Sequence, residues 1–185
     1  MLEVNFLPFP VITTERLVLR QAKFEDAPEF LFLRSDTRVL QYIGKEPITS
    51  LEEAQMYVQL LTDNLNDGIG ITWAITLKGD DKMIGTIALW RWMKESCRAE
   101  IGYVMHPDYC GKGIMHEAMM TVTDHGFNEM GLHSIEASVN PANVASLKVV
   151  ERAGFIKEGH FRDRCCFRGV FSDRAIYSLI APKQR

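Results

Sequence analysis

Residues 109–115, Tyr-Cys-Gly-Lys-Gly-Ile-Met, set two glycines around a lysine at the start of a helical pattern. Glycine costs backbone order, so two at one junction point to something only glycine permits: a tight turn, or close approach of the main chain to a ligand. A helix opening near Gly113 would present consecutive unpaired N–H groups at its positive end, with the Lys112 charge nearby. The chemistry such a loop offers is the binding of a phosphate or pyrophosphate. The stretch is neither a GxxxxGKS/T loop nor a GxGxxG fingerprint. These residues alone leave both the turn and the phosphate seat open.

The elements that must position this loop are legible on both sides of it. Cys97 to Met105 alternates as a strand, with Ala99, Ile101, Tyr103 and Met105 on one face and Glu100, Gly102 and Val104 on the other. Pro107 ends it, because proline cannot donate to a ladder. After the loop, Ile114, Met115, Ala118, Met119 and Val122 form the apolar stripe of a helix over about 113–129. A strand over 134–140 and a helix over 143–153 follow, the helix closed by Gly154.

Upstream, residues 16–22 read as a strand, and Asp26 before Ala27-Pro28 reads as the N-cap of a helix through Phe30 and Leu33. Ser50 and Glu53 form a capping-box pattern, followed by a stripe of Leu51, Ala54, Val58, Leu61 and Leu65. ITWAITL and MIGTIALWRW read as a hairpin joined by GDDK, and 155–160 and 170–180 as closing strands. FRDRCCFRG, residues 161–169, is expected to be the basic loop of that last hairpin. The order β-α-α-β-β-β-α-β-α-β-β implies a mixed sheet with helices packed on it, α+β or α/β by layer logic. Trp73 is expected in the core. Trp90 and Trp92 are expected to share a face, lining either a groove or the core.

The bulk numbers bound the rest. The 185 residues suit one domain, 46% hydrophobic and 24% charged, with a formal net charge of −3. That balance gives no electrostatic case for nucleic acid or an anionic membrane as the main partner. No apolar run approaches the roughly 20 residues of a membrane span, and residues 1–10 lack a basic leader region, so a cytoplasmic protein is expected. Cys97, Cys110, Cys165 and Cys166 form no C-x-x-C pair and read as reduced thiols. The five histidines show no metal-ligand spacing, so no metal is expected.

EIGYVMHPDYCGKGIMHEA, then a strand, then NPANVASLKVVERAGF resembles the acetyl-CoA-dependent N-acyltransferases of the GNAT superfamily, and within it the RimJ/RimL-type ribosomal-protein N-terminal acetyltransferases. The resemblance runs from ITTERLVLRQ to DRAIYSL, nearly the whole chain. It implies the acyl-CoA N-acyltransferase fold, about seven strands flanked by about four helices. In that family a loop R/Q-x-x-G-x-G/A binds the cofactor pyrophosphate; here it is Cys110, Gly111, Lys112, Gly113, Ile114 and Met115. Cys stands in place of Arg or Gln, and Met in place of a small residue. Because main-chain amides do most of the phosphate binding, both departures are expected to be tolerated, although one polar side-chain contact is removed and there is room for the helix start to be crowded. The resemblance also lays the pantetheine arm of acetyl-CoA where the strand ending at Met105 splays from SIEASV. A main-chain N–H near Val104 or Met105 becomes the oxyanion donor.

The same resemblance implies roles for four further positions. Glu100 matches the glutamate of the family's E-I/L-G-Y motif and becomes the general base; the alternative is a carboxylate paired with Arg98 or Lys94, or simply solvated. Many relatives carry an acidic tyrosine where this chain has Val150. The RimL-type substitute is a serine three residues after Asn143, which is Ser146, with Asn143 on the cofactor arm, as a helix cap, or both. No nucleophile is positioned for a covalent intermediate, so direct attack in a ternary complex is expected. An α-amine, with a pKa of about 7.7–8.0, is roughly a tenth neutral near pH 7, whereas a lysine at about 10.4 is neutral less than about one time in a thousand. That mildly favours a protein N-terminus as acceptor over a lysine. An aminoglycoside or other small amine stays open, as does a non-catalytic acyl-CoA sensor. A homodimer is compatible with the resemblance.

Overall fold

Stretches rich in β-branched and aromatic residues alternate along the chain with side-chain-capped helices, and they assemble into one mixed sheet. The computed structural model describes residues 5–182. Its strands are β1 (Ile12–Thr13), β2 (Leu17–Gln21), β3 (Gly70–Leu77), β4 (Asp80–Met93), β5 (Arg98–Met105), β6 (Ser134–Val139), β7 (Ile156–Phe167) and β8 (Val170–Ile180). The α-helices are α1 (Ala27–Leu33), α2 (Thr37–Leu40), α3 (Leu51–Asn66), α4 (Ile114–Asn128) and α5 (Val144–Arg152). The strands lie side by side in the order β1-β2-β3-β4-β5-β6-β8-β7. Only β5 and β6 run parallel. Eight strands and five helices among the described residues fit the expected fold of about seven strands and about four helices. The additions, β1 and α2, are two and four residues long, too short for any hydrophobic period to show.

One face of the sheet packs on α4 and α5, the other on α1 and α3. The first layer holds the larger core: Ile87, Leu89, Ala99 and Ile101 of the sheet meet Ile114, Met115, Ala118, Met119 and Val122 of α4 and Val150 of α5. The second holds Ala74 and Met83 against Ala27, Phe30, Leu33, Ala54 and Val58. Each fully buried aliphatic or aromatic side chain contributes about 1.5–3 kcal/mol relative to exposure. Trp73 lies in the first core as expected, its indole N–H donating to the Pro10 carbonyl at 2.8 Å.

Local signals hold at several helix ends. The Ser50 hydroxyl accepts the Glu53 N–H at 3.2 Å, and the Glu53 carboxylate accepts the Thr49 N–H at 2.7 Å. Leu51 does not join the apolar stripe; it is exposed. At the end of α5, Gly154 (φ +87°) takes the left-handed position, Phe155 N–H bonds the Val150 carbonyl and Gly154 N–H bonds the Glu151 carbonyl. That pair of bonds satisfies carbonyls the helix would otherwise leave open.

Tertiary contacts override the sequence in four places. Asp26 stands at the N-cap of α1 without a side-chain bond into that helix; its carboxylate accepts the Lys23 N–H at 2.7 Å in the preceding turn and takes both Nη atoms of buried Arg20 at 2.8 Å. Asp80–Lys82 belong to β4, not to a turn, and Asp81 completes the Arg20 network at 2.6 Å. FRDRCC is not a loop: β7 runs through Phe167, and the hairpin turns at Arg168-Gly169. Finally, a bulge after Trp90 puts Arg91 at φ +51° and separates the two tryptophans. Trp92 packs on the larger core beside Phe6, while Trp90 lies opposite Glu100 on the other face.

Candidate active site

β5 stays paired with β4 up to Met105, but with β6 only over Arg98, Ala99 and Glu100. Beyond Glu100 the two parallel strands part, and a slot opens through the sheet. The His106 N–H donates to the Ile84 carbonyl at 2.8 Å, which fixes which residues of β5 face β4. Because an antiparallel ladder alternates, the main-chain groups of Ile101, Tyr103 and Met105 turn into the slot. Those of Val104 turn toward β4; a Cβ on Gly85 would lie 2.6 Å from the Val104 carbonyl oxygen. Of the two main-chain donors expected from the sequence, Met105 faces the slot and Val104 does not. An extended chain carrying amides would find strand-like partners here.

At the C-terminal end of β5 the glycine loop leads into α4. Gly111 and Gly113 both sit at φ +75°, where an L side chain costs about 1–2 kcal/mol. The Cys110 N–H is taken by the Pro107 carbonyl at 3.1 Å, and its thiol, raised by burial, leans toward the His106 carbonyl at 3.7 Å. The first bond of α4 is Glu117 N–H to the Gly113 carbonyl, so the donors of Gly111 through His116 have no main-chain partner among the described residues. Ile114 and Met115 bury their side chains in the larger core. They can serve an anion only through their N–H groups, and Met115 does not crowd the loop. The Lys112 ammonium rests 5.3 Å from the Tyr109 ring centre.

A clamp from the start of β2 holds this loop. The Arg16 guanidinium donates to the Glu117 carboxylate at 2.6 Å and to the Lys112 carbonyl at 3.0 Å. Glu117 also accepts the Arg16 N–H at 3.1 Å and the Thr14 hydroxyl at 2.5 Å. Outside the loop lies an open groove of about 730 Å³ that includes Arg16, Lys112, His116 and Arg152. His116 Nδ1 is buried without a partner among the described residues, and burial, followed by the Arg152 charge, lowers its pKa. Cations and unpaired N–H groups around one groove suit a polyphosphate.

Glu100 lies on the α1/α3 face of the sheet, mostly buried. Its partner is Arg91 at 2.9 Å, not Arg98 or Lys94; Arg98 bonds Ser134 Oγ at 2.9 Å and Glu136 at 3.4 Å. The Arg91 guanidinium stacks on Trp90, 4.2 Å from its ring centre. Burial raises the Glu100 carboxyl above its ordinary value, against the opposing pull of Arg91. A carboxylate so placed is a stronger base than a solvated one.

Ser146 lies across the slot, on the α4/α5 side. Its hydroxyl is 2.6 Å from the Tyr103 hydroxyl, and the Ser146 carbonyl, 3.3 Å from the same phenol, is the alternative acceptor for the single phenolic proton. Burial pushes Tyr103 up to about 12, so the phenol keeps its proton. Where that proton goes to Ser146, the serine hydroxyl is left free to donate to a third group. Asn143 caps α5, its side-chain oxygen accepting the Ser146 N–H at 3.0 Å, and so fixes the serine from behind. Val150 is buried in the core and faces no site.

The structure thus gathers Met105, Gly111–Met115, Asn143 and Ser146 along one side of the slot and Glu100 on the other. Tyr103, Arg16, Glu117, His116, Arg152 and Arg91 join them, though sequence reasoning did not single them out. For Tyr103 a signal existed in the strand alternation. For the rest, the partners lie far apart in the chain: Arg16 meets a helix 101 residues on. No group of three or more His, Cys, Asp or Glu among the described residues forms a metal site, and no described helix is long and apolar enough to cross a membrane.

Comparison with known proteins identifies the family. Residues 16–156 match the acetyltransferase (GNAT) domain family. The chain is 35% identical over 167 residues to the uncharacterized N-acetyltransferase p20 of Bacillus licheniformis, across 90% of this chain and 94% of that one. An acetyltransferase (GNAT family) from Bacillus anthracis superposes with a TM-score of 0.82 at 29% identity, over 92% of this chain and 98% of that one. RimL, a ribosomal alpha-N-protein acetyltransferase solved in complex with coenzyme A, shares the fold with a TM-score of 0.83 at 23% identity, over 92% and 97% of the two chains.

Proposed function

The chain belongs to the GNAT acetyltransferase family and is an N-acetyltransferase, and from that premise we propose that it moves the acetyl group of acetyl-CoA directly to the α-amine of a protein N-terminus. The observation that carries the reading is the slot beyond Glu100, with a phosphate-type loop at its end, a buried carboxylate on one face and a hydroxyl pair on the other. The N–H groups of Gly111 to Met115 and the Lys112 charge hold the pyrophosphate. Main-chain groups of Ile101, Tyr103 and Met105 pair with the pantetheine arm, whose thioester supplies the acetyl group. The Met105 N–H is positioned to stabilise the oxyanion that develops at the carbonyl.

The acceptor enters from the opposite face. Glu100, directly or through one water, takes the proton from the attacking amine, and its raised pKa suits an acceptor that titrates near 8. Ser146, held by Tyr103 and Asn143, faces the departing thiolate and donates to it. No covalent enzyme intermediate is required. RimL, itself an alpha-N-protein acetyltransferase, supports the choice of a protein N-terminus over a side-chain amine.

The test combines calorimetric titration with CoA and a thiol-release assay on short peptides. Micromolar-range CoA binding and peptide-dependent thiol release, both specific to a free N-terminus, are the expected result. CoA binding without acetylation of any amine would overturn the enzymatic role; acetylation only of lysine side chains would overturn the acceptor.

A further inference from the structure

On the Glu100 face, positive charge outnumbers negative. The floor is Trp90, Arg91, Glu100 and Gly102; a Cβ on Gly102 would lie 3.4 Å from the Trp90 indole nitrogen. One wall is the α2–α3 loop, tied to the end of α1 by the Ile48 N–H to the Arg34 carbonyl at 2.9 Å. The other wall is the tip of the β7–β8 hairpin, which reaches that loop through Phe167 beside Gly44 and Arg168 bonded to Glu46. Arg174 lies on the same sheet face as Glu100, because its neighbours Ala175 and Tyr177 point into the opposite core.

The carboxylates here are already engaged: Glu100 with Arg91, Glu136 with Arg98, Glu46 with Arg168. Arg34, Lys45 and Arg174 have no carboxylate partner among the described residues. Arg34 lies over the Tyr57 ring at 5.0 Å, with its Nε buried and unpartnered. Lys45 has an exposed side chain overall, yet partial burial of its ammonium, then Arg34 and Arg91, hold its pKa below the ordinary value. Three cations thus stand around a single base, and the described residues provide no carboxylate to pair with them.

We propose that the acceptor carries a carboxylate within a residue or two of its amine, which Lys45, Arg34 and Arg174 receive while the amine reaches Glu100. This rests on the acetyltransferase reading above and narrows its substrate. The same chemistry fits an N-terminal peptide with acidic second and third residues and a free acidic amino acid. It disfavours a polycationic acceptor such as an aminoglycoside, since like charges across an interface are costly.

The experiment is a thiol-release comparison on the full chain with saturating acetyl-CoA. The substrates are hexapeptides with identical first residues and Glu-Asp, Gln-Asn or Lys-Arg at positions two and three, beside free glutamate and an aminoglycoside. The expected result is kcat/KM at least tenfold higher for the acidic peptide than for the neutral one, carried mostly by KM and shrinking with added salt. Lys45→Gln, at an exposed position, is expected to cut the acidic-to-neutral ratio several-fold; Arg34→Gln gives a second variant. Free glutamate outperforming the acidic peptide would assign the carboxylate to an amino acid and keep the proposal. Equal turnover of the three peptides, or preference for the basic peptide or the aminoglycoside, would overturn it while leaving the enzyme an N-acetyltransferase. No turnover of any amine despite CoA binding would overturn both.

Discussion

The two faces of the slot are built in different ways. On the α4/α5 side, the groups proposed to meet the cosubstrate are mostly main-chain: the donors from Gly111 to His116 and the edge of β5. On the α1/α3 side, the groups proposed to meet the acceptor are side chains, contributed by β4, β5, the α2–α3 loop and β8. A main-chain site tolerates side-chain change, so the proposed loop accommodates Cys110 and Met115 at its two departures from the family pattern. A side-chain site changes its partner when one residue changes. The same scaffold can therefore keep one donor and take many acceptors.

The comparison is broken most severely by a variant that abolishes chemistry and leaves the other face intact. Glu100→Gln is expected to lower kcat by about 10²–10⁴-fold, with CoA affinity measured by calorimetry unchanged. Loss of CoA affinity in that variant would show that the two faces are not separable. Gly113→Val attacks the other side. Its left-handed backbone and a Cβ 3.5 Å from the Arg16 guanidinium should weaken CoA binding by at least about tenfold, the equivalent of about 1.4 kcal/mol. Arg16→Gln removes the clamp but none of the donors, so a smaller loss of CoA affinity is expected, partly regained with Arg16→Lys; no loss would mean the loop holds its shape unaided.

A pair of finer variants sharpens the picture. Tyr103→Phe leaves Ser146 without its hydroxyl partner; kcat should fall several-fold with little change in KM, and Ser146→Ala should add nothing further if the two act together. The pH profile tests Arg91. Glu100 must be ionised to accept a proton, so kcat falls as pH drops through its raised pKa. Arg91 pulls that pKa down, so Arg91→Gln should move the acid limb of the kcat profile to higher pH. A limb that stays in place would detach Glu100 from proton transfer.

Stability supplies a control that touches neither face. Arg20 and Asp26 are both buried and bonded twice to one another. Truncating one partner with Arg20→Met leaves a buried charge and is expected to cost about 3–5 kcal/mol in denaturant unfolding, without changing the ratio between acceptors.

Sequence alone was enough for whatever depends on neighbours along the chain. The alternation of β5, the apolar stripe of α4, the Gly154 stop and the paired glycines at 111 and 113 each follow from local geometry, and each holds in the structure. From them came the mixed sheet and the phosphate-type loop. Tertiary structure alone decided what depends on side-chain pairing outside the repeat of a single element. Asp26 turned to Arg20 rather than into α1, the bulge at Arg91 parted Trp90 from Trp92, Glu100 took Arg91 instead of Arg98, and Tyr103 found Ser146 43 residues away. The reason is energetic: a local cap is worth about 0.5–2 kcal/mol, and a buried charge left unpaired costs more than that. Where the two compete, the buried ion pair wins.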